Sequence, residues 1–263
     1  MAMANTTSIN HDVAAALNRV IFARLLGVEP DPWQEDVLRS DSKRIILNCA
    51  RQTGKSTITA IVALHHAIYT PEALVLIVSH TLAQAKETFK KIKRFYEQLE
   101  KPISPTTNTV DRLELANKSR IISLSGLHPN SLRGFSSPTL LVIDEAARVL
   151  DETYDEALRP MLAASNGGVV LLSTPHGKRG FFYQAWEDES TWLKVKINAS
   201  ECPRISKEFL EEEEKSKPEW LFKQEYFNFF AENRSSVFRV EDIDAAFNHP
   251  GLFVRDEIDM DLD

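Results

Sequence analysis

The 263-residue chain is 43% hydrophobic and 26% charged, which excludes a disordered or fibrous protein and fits one large domain with at most a small appendage. No apolar run nears the ~20 residues of a membrane-spanning helix. Residues Met1–Asn10 lack a secretory pattern, and Cys49 and Cys202 are too few for a disulfide framework, so an intracellular chain without a membrane partner is expected. The net charge of −7 is uneven: residues 201–263 hold 8 Lys/Arg against 17 Asp/Glu, so charge alone does not announce a nucleic-acid binder.

In chain order, Val13, Leu17, Val20, Ile21 and Leu25 recur at three- and four-residue steps and predict helix until Gly27 and Pro30-Asp31-Pro32 interrupt it. Four short apolar runs follow, at Arg44–Asn48, Leu74–Ser79, Thr139–Ile143 and Val169–Ser173. Their centres are Val, Ile and Leu without polar alternation, as in strands covered on both faces. Helical patterns at Ser56–Tyr69, Thr81–Lys101 and Glu152–Ala164 alternate with them, which predicts a mostly parallel α/β sheet with helices on both sides. Leu113–Ala116 and Ile121–Leu124 flank Asn117–Arg120 and predict an inserted β-hairpin. The strand-helix rhythm stops after Ile197. The charged stretch Ser206–Asn233, with Phe209, Trp220, Leu221, Tyr226, Phe227, Phe229 and Phe230, predicts a small helical subdomain. Arg255–Asp263 reads as an acidic tail. The division expected is residues 1–200 as the core and 201–263 as the helical unit with its tail.

The strongest chemical signal is Cys49-Ala50-Arg51-Gln52-Thr53-Gly54-Lys55-Ser56-Thr57, between a buried strand and a helix. Gly-Lys-Ser occurs by chance in turns; the strand before and helix after give it weight as the end of a phosphate-binding P-loop, with Cys49 replacing the usual first glycine. Gly54 would let successive N–H groups face phosphate oxygens at the positive end of the new helix. Lys55 would reach the β- and γ-phosphates, and the Ser56 hydroxyl would ligate Mg²⁺.

Leu140–Ile143 leads into Asp144-Glu145, 89 residues after Lys55. Ligands of parallel sheets bind beyond the carboxyl ends of the strands, so both carboxylates are expected beside the phosphates. Asp144 would hold Mg²⁺ through water, and Glu145 would act as general base on the attacking water. Val170–Leu172 leads into Ser173-Thr174-Pro175, hydroxyls that could sense the γ-phosphate, although such a turn is most often only a turn. Gln34, after Trp33, carries an amide able to read an adenine edge. Arg51 in the loop and Arg133 in Ser131-Leu132-Arg133-Gly134 are candidate cations for the γ-phosphate. Lys86, Lys90, Lys93 and Arg94 share a helical spacing that fits either a solvated face or a phosphate backbone. The histidines show no zinc-ligand spacing.

In this order the motifs resemble the ATPase part of a tailed-phage large terminase, the motor that packages DNA. The resemblance runs from Trp33 to Phe230. It rests on Arg51–Ser56, Asp144-Glu145-Ala146, Ser173-Thr174-Pro175, Gly177–Tyr183 and the Ser-Leu-Arg-Gly loop at 131–134, with Gln224-Glu225-Tyr226 similar to the linker subdomain. It implies a P-loop fold, ATP and Mg²⁺ as cofactors, and double-stranded DNA, a portal protein and a small terminase subunit as partners. It further implies a homo-oligomeric ring when assembled, a monomer in isolation, and the host cytoplasm as location. Terminases of this kind continue into a metal-dependent nuclease; Asp256–Asp263 has no strand-helix context to hold metals, so the chain is expected to lack that half. Two alternatives stay open. A helicase-like DNA-dependent ATPase would need a second tandem domain, for which the chain is short. A non-catalytic nucleotide-binding scaffold would be expected to lose Lys55 or Glu145, and both are present.

Overall fold

The computed structural model describes residues 12–189 and 192–232. Eight strands form one sheet: β1 (Arg44–Cys49), β2 (Leu74–Ser79), β3 (Pro105–Asn108), β4 (Arg112–Leu115), β5 (Arg120–Ser125), β6 (Leu140–Asp144), β7 (Gly168–Ser173) and β8 (Leu193–Ile197). Their spatial order is β3-β4-β5-β2-β6-β7-β1-β8. The six from β5 to β8 run parallel, and β3 and β4 extend the β5 edge antiparallel. The expected hairpin is thus β4–β5, and β3 and β8, polar or alternating in sequence, form the two edges.

The helices are α1 (Arg19–Leu25), α2 (Pro32–Arg39), α3 (Lys55–Tyr69), α4 (Leu82–Gln98), α5 (Arg159–Ser165), α6 (Gly180–Glu187), α7 (Lys207–Ser216) and α8 (Glu219–Phe227). Alternate strand residues feed two cores. Ile45, Leu47, Val75, Ile77, Val142 and Leu172 pack under α1, α3 and α4 against Phe22, Ile61 and Phe89. Ile46, Leu76, Val78, Ile143 and Leu171 face the other way, against Leu158, Met161, Phe181 and Phe182. This two-sided burial is why the strands lack alternation.

Two local readings are corrected. The Val13–Leu25 pattern is not one helix. Asn18 takes an extended backbone, and its side chain accepts from the Val20 N–H at 2.9 Å, capping α1 and breaking phase with residues 12–17. Val20 is therefore core while Leu17 stands 84% exposed. The aromatic run 226–230 also divides. Phe222 and Tyr226 pack on Ala50 and Ala199, but Phe230 leaves the helical unit and joins Phe182, Tyr183 and Trp186 at the main sheet. Residues 233–263, with the expected acidic tail, lie outside the described residues.

His65 on α3 sits between Phe22 and Tyr69, ring centroids at 5.1 and 4.8 Å, and shares a hydrogen bond of 3.1 Å with the Ala15 carbonyl. Burial, and secondarily the Arg19 charge, push its pKa down to about 4. The native ring stays neutral while the unfolded ring, at about 6.5, takes up a proton. Its contribution to stability is complete above pH 6.5 and is lost as pH falls toward 4, by about 2 kcal/mol at pH 5. Urea midpoints at pH 7.5 and 5.0 should show this loss, and His65→Phe should reduce the difference; an unchanged difference would place the acid sensitivity elsewhere.

Candidate active site

The sheet register sets the site. Asn48 pairs with Ser173, Leu172 with Asp144, and Asp144 with Ser79, so the carboxyl ends of β1, β7, β6 and β2 lie in one row. At that edge opens a cavity of about 800 Å³ lined by Arg51, Gln52, Gly54, Lys55, Ser56, Thr57, His80, Gln84, Lys91, Glu145, Arg148 and Arg204.

The loop after β1 makes the floor. Cys49 needs no glycine's freedom, because it is the last strand residue, pairs with Ile197 and is fully buried. Burial pushes its thiol up to about 12, so it stays protonated. Gln52 at φ 62° and Gly54 at φ 93° give the left-handed turns that wrap the backbone into a concave anion nest. Gly54 is also required by space: a Cβ there would come within 2.8 Å of Gln34 Nε2. Lys55 and Ser56 open α3, where first-turn N–H groups have no intrahelical acceptor. Lys55 Nζ stands 3.7 Å from Glu145 Oε1 and donates to the Cys49 carbonyl at 3.4 Å.

Asp144 and Glu145 separate in environment. Asp144 is buried at the end of β6; it accepts from Thr88 Oγ1 at 2.6 Å and from the Glu145 N–H at 2.9 Å. Burial raises its pKa, and the Thr88 hydrogen bond opposes that rise. Glu145 turns out of the strand at φ 53°, in the left-handed region, and presents its carboxylate to the cavity. That backbone is uncommon for a non-glycine residue and is typical of functional turns. Ser173 Oγ accepts from the Ala147 N–H at 3.3 Å, tying the end of β7 to the turn after Glu145, and Thr174 is buried beside it.

The structure thus gathers Arg51, Gln52, Gly54, Lys55, Ser56, Thr57 and Glu145 around one cavity, with Thr53 and Asp144 buried beneath it. It places two candidates elsewhere. Gln34 is 4% exposed; its Oε1 accepts from the Asp31 N–H at 2.9 Å and its Nε2 donates to the Thr53 carbonyl at 3.3 Å. It braces the P-loop from behind and does not line the cavity. Arg133 caps a short helical turn at Pro129–Leu132, is exposed, and pairs with Glu156 at 3.4 Å away from the cavity. Arg51 lines the cavity while ion-paired with Glu225 of α8, itself nearly buried.

Sequence reasoning missed Thr88, Lys91, Arg148, Arg204 and Glu225. Arg204 grips Asp31 at 2.7 Å and the Thr53 carbonyl at 2.9 Å, clamping the loop from the far side. Thr88, a hydroxyl on the apolar face of α4 between Ala85, Phe89 and Ile92, was the most readable signal of the group. The loop also carries the helical unit: Asn48 Nδ2 donates to the Asn228 carbonyl, and Asn228 Nδ2 donates to the Ile197 carbonyl at 2.6 Å. Among the described residues no helix is long and apolar enough to cross a membrane.

Comparison with known proteins places this geometry in a lineage. The terminase large subunit of Thermus phage G20c is 27% identical over 180 residues, covering 61% of this chain and 37% of that protein. The chain therefore spans well under half the length of its curated relatives. The large terminase ATPase domain of Thermus phage P74-26 superposes with a TM-score of 0.71 at 22% identity, over 80% of this chain and 97% of that domain. The large terminase of another thermophilic bacteriophage, in complex with ATP-gamma-S, gives 0.58 at 12% identity, over 80% and 52%. The family described as terminase large subunit, T4likevirus-type, N-terminal matches residues 46–245, and the chain belongs to that family.

Proposed function

We propose that this chain is the ATP-hydrolysing motor unit of a viral terminase large subunit, driving double-stranded DNA into a procapsid. The observation that carries it is Lys55 and Ser56 at the mouth of the cavity with Glu145 3.7 Å from Lys55 on the same sheet edge. A triphosphate fits the cation-lined floor, and solved relatives are described in complex with ADP and ATP-gamma-S. Lys55, Arg51 and the N–H groups of 52–57 would bind the phosphates. Glu145 would take a proton from water as the water oxygen bonds to the γ-phosphorus. The bond from that phosphorus to the bridging oxygen breaks, its electron pair leaving with ADP.

The donor set fits Mg²⁺. A hard cation that keeps several waters needs only one or two protein oxygens beside the phosphates, and Ser56 and Asp144 supply an oxygen each. The Thr88 hydroxyl and Glu145 N–H, both donating to Asp144, favour its ionised form. When bound, the ion neutralises charge on the phosphate oxygens.

Hydrolysis would be reported through Ser173 and Thr174, because Ser173 holds the turn that carries Glu145. The proposed division is a core at 1–200 and a helical linker at 201–263, whose α8 touches the P-loop through Glu225, while Asn228 just beyond it holds the end of β1. The proposed acting form is a homo-oligomeric ring with the portal protein and small terminase subunit in the host cytoplasm, the isolated chain being monomeric. Lys55→Ala tests the reading. It removes the one cation fixed at the start of α3 and is expected to abolish ATP binding and turnover. Binding and hydrolysis at the parental level would overturn the assignment.

A further inference from the structure

We propose that Arg148 is a second cation of the nucleotide's own chain and contacts the terminal phosphate as a catalytic residue. This rests on the reading of the cavity as an ATP site. Five cations line that cavity: Arg51, Lys55, Lys91, Arg148 and Arg204. Three already have carboxylate partners, Arg51 with Glu225, Lys55 with Glu145 and Arg204 with Asp31. Among the described residues, the Arg148 guanidinium and the Lys91 ammonium have no such partner, and half-buried Arg148 is the better placed of the two.

Arg148 sits three residues after Glu145, in the 3-10 turn Ala146–Arg148. Its N–H donates to the Glu145 carbonyl at 2.9 Å, and the turn is fixed to β7 by the Ala147 N–H on Ser173 Oγ. Base and cation therefore share one short, anchored piece of backbone. Lys91 instead reaches in from the exposed face of α4 on a flexible stem. The Arg148 side also faces the end of β7: burial, followed by the charges of Arg148 and Arg179, holds His176 below its usual pKa. The cation thus lies on the side where Glu145 and Ser173 converge, beyond Lys55, where the last phosphate of a nucleotide seated on the P-loop would end.

A guanidinium there has two uses. Its fork can hold two γ-oxygens at once, and its charge stabilises the charge that spreads over them as the bridging bond breaks and water, losing a proton to Glu145, attacks. Arg133, exposed and away from the cavity, could act on a neighbouring subunit, whereas Arg148 acts within its own.

The discriminating measurement is the affinity of the full 263-residue chain for ADP and for ATP-γ-S with Mg²⁺, in the parental chain, Arg148→Ala and Arg148→Lys, with urea midpoints to verify folding. A contact made only to the γ-phosphate predicts that Arg148→Ala weakens ATP-γ-S by about tenfold or more and ADP by less than about twofold. Arg148→Lys should regain part of the loss, and turnover of Arg148→Ala should fall about 10²-fold. Equal weakening of both nucleotides, or weakening of neither, overturns the assignment. A parental chain that binds neither nucleotide would instead overturn the ATP-site reading, and this proposal with it.

Discussion

Glu145→Gln is expected to bind ATP and to turn it over about 10²-fold more slowly or worse, the usual scale for loss of a general base. The amide matches the carboxylate in size and can occupy the same left-handed turn, and the residue 145 N–H would still donate to Asp144. What it cannot do is accept the proton of the attacking water. Its neutral side chain also ends the Lys55–Glu145 attraction, leaving Lys55 more available to phosphate, so affinity should hold or rise. This outcome differs in kind from Lys55→Ala, which loses binding itself. Equal loss of affinity in the two variants would make Glu145 a ligand or a structural group, and the base would have to be sought elsewhere on the sheet edge.

The second large effect concerns Arg133. The P-loop side of the site already holds Arg51, too close to its own phosphates to reach across a subunit boundary. Arg133 stands on an exposed turn, bound only to exposed Glu156, an ion pair worth little in water. It is free to engage a neighbour's nucleotide. Arginine fingers in phosphoryl transfer contribute about 10³–10⁵ in rate. Turnover should therefore be low in isolated chains and rise more than linearly with protein concentration or on assembly. Arg133→Ala and Glu145→Gln chains, each nearly inactive alone, should regain turnover when mixed under assembling conditions, since each supplies what the other lacks. A mixture as inactive as its components, or full activity of assembled Arg133→Ala, contradicts the role.

The parts of this molecule legible in the sequence are those with a local cause. Leu74–Ser79 and Leu140–Ile143 are uniformly apolar because both sheet faces are covered, and their order along the chain gave the α/β reading. The P-loop and the Asp144-Glu145 pair were legible because each is a contiguous run between a strand and a turn. Edge strands were harder. β3 is Pro-Thr-Thr-Asn and β8 alternates Leu-Lys-Val-Lys-Ile, each with one side open. Asn18, a helix cap inside an apolar period, was indistinguishable from an ordinary polar position.

The supporting groups of the site arise from long-range folding. Thr88 meets Asp144 across 56 residues and Arg204 meets Thr53 across 151, separations at which no spacing rule operates. Gln34 shows the converse. Its residue type suggested a base reader, but the fold spends both ends of its amide on the chain itself. Arg148 was three residues from the base and still silent, since an arginine after a turn is ordinarily a surface residue.

The central claim is that this sheet edge hydrolyses ATP for work on DNA, and phosphate release tests it most directly. The purified chain, at concentrations spanning monomer to assembly, should release phosphate from Mg²⁺–ATP with and without double-stranded DNA. Release should exceed that of Lys55→Ala, rise with assembly and rise further with DNA. Release no greater than that of Lys55→Ala at every concentration, with and without DNA, would contradict it.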